Sequence, residues 1–358
     1  MKTLKPFLYL LVVFAIVLSA CKKNVHEIVD DPGQLIVELK NFEDLVVPDD
    51  FDWRMTMNSS NSNSLKAGGY HYYPESGYST LAFEDLWPSV GDYDFNDLVV
   101  EYQFRTATDA SNYITEIVGT FIVRAAGAGT KNGFGFELHG LDTTGFVASG
   151  SDLMGGSYIS TTDGWENGQT YPVVIVTDDV TREMPLWSNT QGWHTKHVAP
   201  AVYTINITPR FGVNVDSVDF LINMDNFNPF MIIDYENEGR SREVHKIDYP
   251  PTDLADPSFF GQHDDYSTTG SSASLFGASY YRTSKNFPWV LEIPSNVMVP
   301  TINNSVFDYP TEKSDINWAY LHFAEWAESG GVDYGSAPTQ WWANTTSGYR
   351  NPLNIYVP

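Results

Sequence analysis

Residues 83–104 read FEDLWPSVGDYDFNDLVVEYQF. Their last seven positions alternate, with Leu98, Val100, Tyr102 and Phe104 on one side. That is the two-residue period of a strand with one face in a core. Directly before the strand, Glu84, Asp85, Asp92, Asp94, Asn96 and Asp97 place six acidic or amide side chains in fourteen positions. Like charges at that density need either full exposure to water or a cation.

The strand pattern recurs along the chain. YITEIVGTFIVRA (113–125), GFGFELHG (133–140), YPVVIVT (171–177), YTINIT (203–208), VDFLINM (218–224) and FMIIDY (230–235) are short apolar stretches between Gly, Asn, Asp and Pro. Many short strands with frequent turn signals predict a mainly β fold, an antiparallel β-sandwich or jelly-roll-like layering. Alternating helices and strands are absent, and no repeat of about 20–50 residues is visible. FPWVLEIP (287–294) reads as a strand bounded by prolines, at a sheet edge or corner. SDINWAYLHFAEWAESGG (314–331) has helical spacing at Ile316, Ala319, Tyr320, Phe323 and Ala327. It predicts one C-terminal helix over about 314–330, with Ser314 as N-cap and Gly330 as C′ residue.

The N-terminus reads as an address. Lys2 and Lys5 precede an apolar run from Phe7 to Leu18, followed by Leu-Ser-Ala-Cys ending at Cys21. The run is shorter than the roughly 20 residues a spanning helix needs, and its form is that of a secretory signal over residues 1–20. Leu-Ser-Ala-Cys resembles the bacterial lipobox, in which the chain is cut before the cysteine and lipid is attached to its sulfur. Cys21 is the single cysteine, so it has no disulfide partner in this chain. The expectation is an exported lipoprotein anchored in the bacterial cell envelope, with the outer membrane favoured and its face left open by Lys22 and Lys23. Residues 21–67 read as a tether with a short structured segment, and 68–358 as the β-rich region, its C-terminal part starting near 240.

The formal net charge is −25. Such a surface repels nucleic acid and favours solubility. Disorder is excluded by the 15% aromatic and 42% hydrophobic content.

In GDYDFND the side chains of Asp92, Asp94 and Asn96 fall at i, i+2 and i+4, with Asp97 adjoining. A tight loop with that spacing points oxygens inward, like the first ligand positions of an EF-hand, although the later Gly and Glu of that motif are missing. Glu84 and Asp85 complete the predicted shell from the end of the preceding strand. Oxygen ligands of this kind suit Ca²⁺ rather than zinc or copper. The aromatic residues Trp87, Tyr93 and Phe95 between the acids argue that the loop is partly buried, where unpaired carboxylates are costly. Elsewhere, His194 and His197 in HTKH lack a third ligand and read as a surface turn. Trp341 and Trp342 are candidate sugar-stacking residues read as buried, and Glu166 reads as an exposed acid. G-x-S-x-G, H-E-x-x-H and P-loop patterns are absent, and no catalytic residue emerges.

FEDLWPSVGDYDFNDLVV resembles the shared motif of LruC-domain proteins, exported bacterial lipoproteins. NGFGFEL (132–138), NPF (228–230), REVHKIDYPPT (242–252), FPWVLEIP and INWAYLHFAEWAESGG (316–331) agree with it. The resemblance spans about 80–345 and implies a lipid-anchored, β-rich envelope protein whose acidic motif looks like a calcium loop. It supplies no catalytic residues. The reading is a non-enzymatic binding or structural module, with an exported glycan hydrolase and a protein-binding adhesin as alternatives. A glycan or protein ligand is therefore the expected soluble partner, beside the membrane reached through the lipid on Cys21.

Overall fold

The computed structural model describes residues 68–191, 196–268, 279–294, 307–330, 341–344 and 347–356. The signal, Cys21, the tether and His194 lie outside them. Two antiparallel sheets dominate. The larger contains β1 (Tyr70–Tyr73), β2 (Ser79–Phe83), β3 (Leu98–Thr108), β4 (Ile114–Ala125), β6 (Phe146–Ser149), β10 (Ala201–Pro209) and β13 (Val290–Ile293). Its order is β13-β2-β3-β4-β10-β6, with β1 pairing the far half of β3. The smaller sheet contains β5 (Gly133–Leu138), β9 (Val173–Thr177), β11 (Phe227–Ile232) and β12 (Glu243–His245), in the order β12-β11-β5-β9. A short hairpin of β7 (Thr161–Thr162) and β8 (Trp165–Glu166) completes the strands.

The two sheets meet through large rings. Phe104 and Phe121 of the larger sheet lie 5.5 Å from Phe136 and Phe134 of the smaller, and Tyr102 lies 4.7 Å from Phe227. Tilted and edge-to-face ring pairs at such distances add to the burial of apolar area that holds a sandwich together. Leu98, Val100, Tyr102 and Phe104 all enter this core, as their alternation predicts. The β3–β4 hairpin turns on Asp109, whose Oδ1 accepts from Ser111 N (2.8 Å) and Tyr113 N (3.0 Å).

The opposite face of the larger sheet is covered too. Leu98 to Tyr102 are buried without interruption, and alternation begins only further along β3. The cause is a second core in which Ala82, Val99 and Leu291 pack against a C-terminal layer of Phe307, Tyr309, Tyr320, Phe323 and Trp341. Trp341 and Trp342 are buried. β13 is the terminal strand of its sheet, as the proline-flanked FPWVLEIP predicts.

Two local expectations are corrected. The C-terminal segment forms two short helices, α2 (Ile316–Ala319) and α3 (Phe323–Glu328), after a single turn α1 (Tyr235–Glu238) earlier in the chain. Between them Tyr320 is extended, bridges to Arg350, and donates its hydroxyl to Asp308 O. Pairing with the C-terminal segment overrides helical spacing there. The cap is Asp315, accepting from Asn317 N (2.8 Å), not Ser314. Gly330 does follow the last turn at φ +80°. The second correction is VDFLINM, which is no strand. Asp216 Oδ1 takes Val218 N (2.9 Å) and Asn226 Nδ2 donates to Leu221 O (2.8 Å). These local side-chain bonds replace a ladder.

Candidate metal centre

Glu84 is the first residue past β2, and its N–H still donates to Trp289 O at 2.9 Å. Strand pairing therefore fixes where its side chain starts. That side chain is fully buried: Oε1 accepts from Phe95 N at 2.5 Å, and Oε2 has no hydrogen-bond partner. One oxygen each from Glu84, Asp92 and Asp94 lie within 4.8 Å of one another. Oxygens around one hard cation, each about 2.3–2.6 Å from it, are separated by up to about 5 Å, so the three are close enough that one ion could be held among them.

The loop backbone explains how this happens. Gly91, Tyr93 and Phe95 have φ of +73°, +60° and +53°, alternating with Asp92, Asp94 and Asn96. Left-handed backbone at an aromatic residue costs about 1–3 kcal/mol and persists only where the surroundings enforce it. Here the rings are the enforcement. Tyr93 and Phe95 lie 4.7 Å apart and each is 6.0 Å from Phe323, while the Tyr93 hydroxyl donates to Pro288 O at 2.6 Å. The rings go into the C-terminal core, and Asp92 and Asp94 converge on Glu84. Gly91 is needed for its φ and because a Cβ there would meet the Leu86 side chain at 2.9 Å.

The remaining predicted ligands take other places. Asn96 Nδ2 donates to Pro310 O at 3.2 Å, and its Oδ1 is buried without a partner. Asp97 Oδ2 accepts from Asp85 N at 2.7 Å, tying the start of β3 to the residues after β2. Asp85 Oδ2 accepts from Thr130 Oγ1 at 2.5 Å and Asn132 Nδ2 at 3.5 Å. The carboxyls thus form a tight trio, with the Asp85–Asp97 pair beside it.

Burial pushes the Glu84 carboxyl well above its ordinary range; Asp94, Asp92 and Asp85 add to it, and only the Phe95 N–H opposes. Burial likewise raises Asp94 strongly, with Asp92 and Glu312 adding, and raises Asp97 with help from Asp85. Asp85 is raised by burial against the bonds from Thr130 and Asn132. The group holds more negative charge than it can keep without protons or a cation.

Distant residues complete the site. Lys313, at φ +61°, donates its backbone N–H to Asp94 Oδ2 at 2.6 Å, and Ile316 N donates to Tyr93 O at 2.8 Å. Burial and then Asp92 push the Glu312 carboxyl up to about 7. The sequence reading missed Glu312 and Lys313; DYPTEKSD (308–315) is acidic, but its spacing to the loop carries no signal. Two further expectations are settled here. Glu166 is buried and paired with Arg240 at 2.7 Å, so it is not an exposed acid. His197 is exposed and its Nδ1 lies 3.1 Å from the Tyr356 hydroxyl.

Residues 112–342 match the family described as a domain of unknown function, DUF4842. The chain belongs to that family. No curated protein and no solved structure matches it. The DUF4842 match includes Thr130, Asn132, Glu312 and Lys313 and begins past the acidic loop.

Proposed function

We propose that this protein is a lipid-anchored envelope module of LruC-domain type whose acidic loop is ordered by Ca²⁺. Its class is a binding or structural module for a glycan or protein ligand. The observation that carries the ion is Glu84 Oε2, fully buried, unpartnered, and within 4.8 Å of carboxylate oxygens from Asp92 and Asp94. A divalent cation supplies the missing charge, and an all-oxygen set favours calcium. Asn96 Oδ1, also without a partner, is the nearest further donor in the loop sequence.

Extracellular calcium modules commonly bind at about 10⁻⁴–10⁻³ M, and a hundredfold excess over the dissociation constant adds about 2.7 kcal/mol. For a domain of this size that corresponds to a rise of about 5–10 °C in Tm. The test is thermal melting in calcium and in chelator. Asp94→Ala should abolish the difference, and alanine at the exposed Glu75 should leave it intact. Superimposable wild-type curves, with no metal copurifying, would sink the proposal.

A further inference from the structure

A polar ladder runs across the outer face of the smaller sheet, far in sequence from the acidic loop. Glu137 on β5 stands opposite Asn228 on β11, and Phe230 opposite His245 on β12. Asn228 is diagonal to His245, within reach of its ring. All three polar side chains belong to buried residues.

The hydrogen bonds fix each group in turn. Asn228 Nδ2 lies 2.9 Å from Glu137 Oε2 and 3.0 Å from Pro250 O, both pure acceptors. The amide orientation follows, so Oδ1 is the atom 2.7 Å from His245 Nδ1. An amide oxygen only accepts, so Nδ1 carries a proton. On the other side His245 Nε2 lies 3.0 Å from Glu243 Oε1. That oxygen also accepts from Thr252 N at 2.6 Å, and Glu243 Oε2 takes Thr252 Oγ1 at 3.0 Å and the Arg240 guanidinium. With Thr252 N, Thr252 Oγ1 and the Arg240 guanidinium all donating to it, Glu243 is an acceptor, so Nε2 also carries a proton.

We infer that His245 is a buried imidazolium, a proton-held clamp that fastens the edge strand β12 to β11 and to the 250–252 segment. Its ring lies between two aromatic faces, Phe230 at 4.9 Å and Tyr281 at 5.2 Å, both within 30° of parallel. Such faces attract a cation when water is excluded. Charge balance points the same way. The cluster buries Glu166 and Glu243 against one guanidinium, Arg240, while Glu137, also buried, bonds Asn228 and lies 2.9 Å from His139. From the other side of β12, Lys246 turns away to pair with Glu292 at 2.5 Å. A neutral His245 would point a lone pair at either the Asn228 oxygen or the Glu243 carboxylate.

The test is side-chain ¹⁵N NMR of histidine-labelled full chain, with His245 assigned by ring-proton contacts to Phe230 and Tyr281. At about pH 7 both ring nitrogens should show one-bond N–H couplings. A neutral ring with one bare nitrogen at that pH overturns the inference. His245→Gln, which cannot donate from both ring positions at once, should melt below the wild type at about pH 7. A His245→Gln chain that melts with the wild type overturns the clamp. The wild-type spectrum decides even where the variant does not fold.

Discussion

Glu84 and Asp94 face a choice between a proton and a cation, which makes their behaviour with pH unusual. Carboxylates normally stabilise a fold as they ionise. Here burial and mutual repulsion hold Glu84, Asp94 and Asp97 well above the usual range, and Glu312 at about 7. With the folded-state values raised, the native chain binds more protons than the unfolded one, so stability is present at low pH and lost as pH rises through the folded values. In chelator, Tm should therefore increase on acidification from about pH 7 towards about pH 5, short of the ordinary carboxylate range near 4. In saturating calcium the slope should shrink, because the ion takes the place of those protons and its affinity falls with acid. The two Tm–pH curves should converge towards low pH. Parallel curves would show that calcium acts elsewhere. Replacing Glu84 with Gln removes the orphaned oxygen's charge, and should raise Tm in chelator while lowering the calcium response.

The backbone just after β4 holds the loop against the larger sheet, and it is sensitive to a single methyl. Gly127 follows β4, and its N–H donates to Asn96 O at 2.9 Å. An ideal Cβ at Gly127 would sit 2.1 Å from Asn96 Oδ1 and 2.7 Å from Asn96 O. Neither the peptide nor a buried amide bonded to Pro310 can yield at no cost. Gly127→Ala should destabilise by about 1–3 kcal/mol, the range for overpacking a close-packed site. It should also weaken the calcium response by moving Asn96. Gly155→Ala is the control, since a Cβ there meets nothing within 4 Å. Equal urea midpoints for the two variants would contradict this account. The strands were legible because their signal is local: β3 shows its period of two within seven residues, and its core face is the predicted one. The bipartite C-terminal helix was not, because the bridge from Tyr320 to Arg350 that interrupts it joins residues thirty positions apart. The acidic loop lay between these cases. Its alternation of acids and rings was visible, but the left-handed backbone at Tyr93 and Phe95 comes from packing against Phe323, which local sequence does not encode.

The whole molecule joins an acidic, two-layered β region with its added C-terminal layer to a single cysteine near the start of the chain. No helix among the described residues is long and apolar enough to cross a membrane, and Cys21 lies outside those residues. The proposed attachment rests on sequence chemistry: a solitary thiol directly after Leu-Ser-Ala, behind an apolar run shorter than a spanning helix needs. Lipidation at Cys21 predicts a specific pair of outcomes. The wild type, expressed in a bacterial host with labelled palmitate, should carry the label and fractionate with membranes. Cys21→Ser removes the sulfur that accepts the lipid, so the precursor should persist unprocessed and unlabelled. The β region itself should be unaffected, because both sheets are built from residues 70–293: a chain starting near residue 68 should keep the calcium-dependent Tm of the full protein. A Cys21→Ser chain that is cut and labelled normally would overturn the anchor and leave the metal proposal standing. Loss of calcium-dependent stability in the truncated chain would instead show that the acidic loop depends on residues before 68.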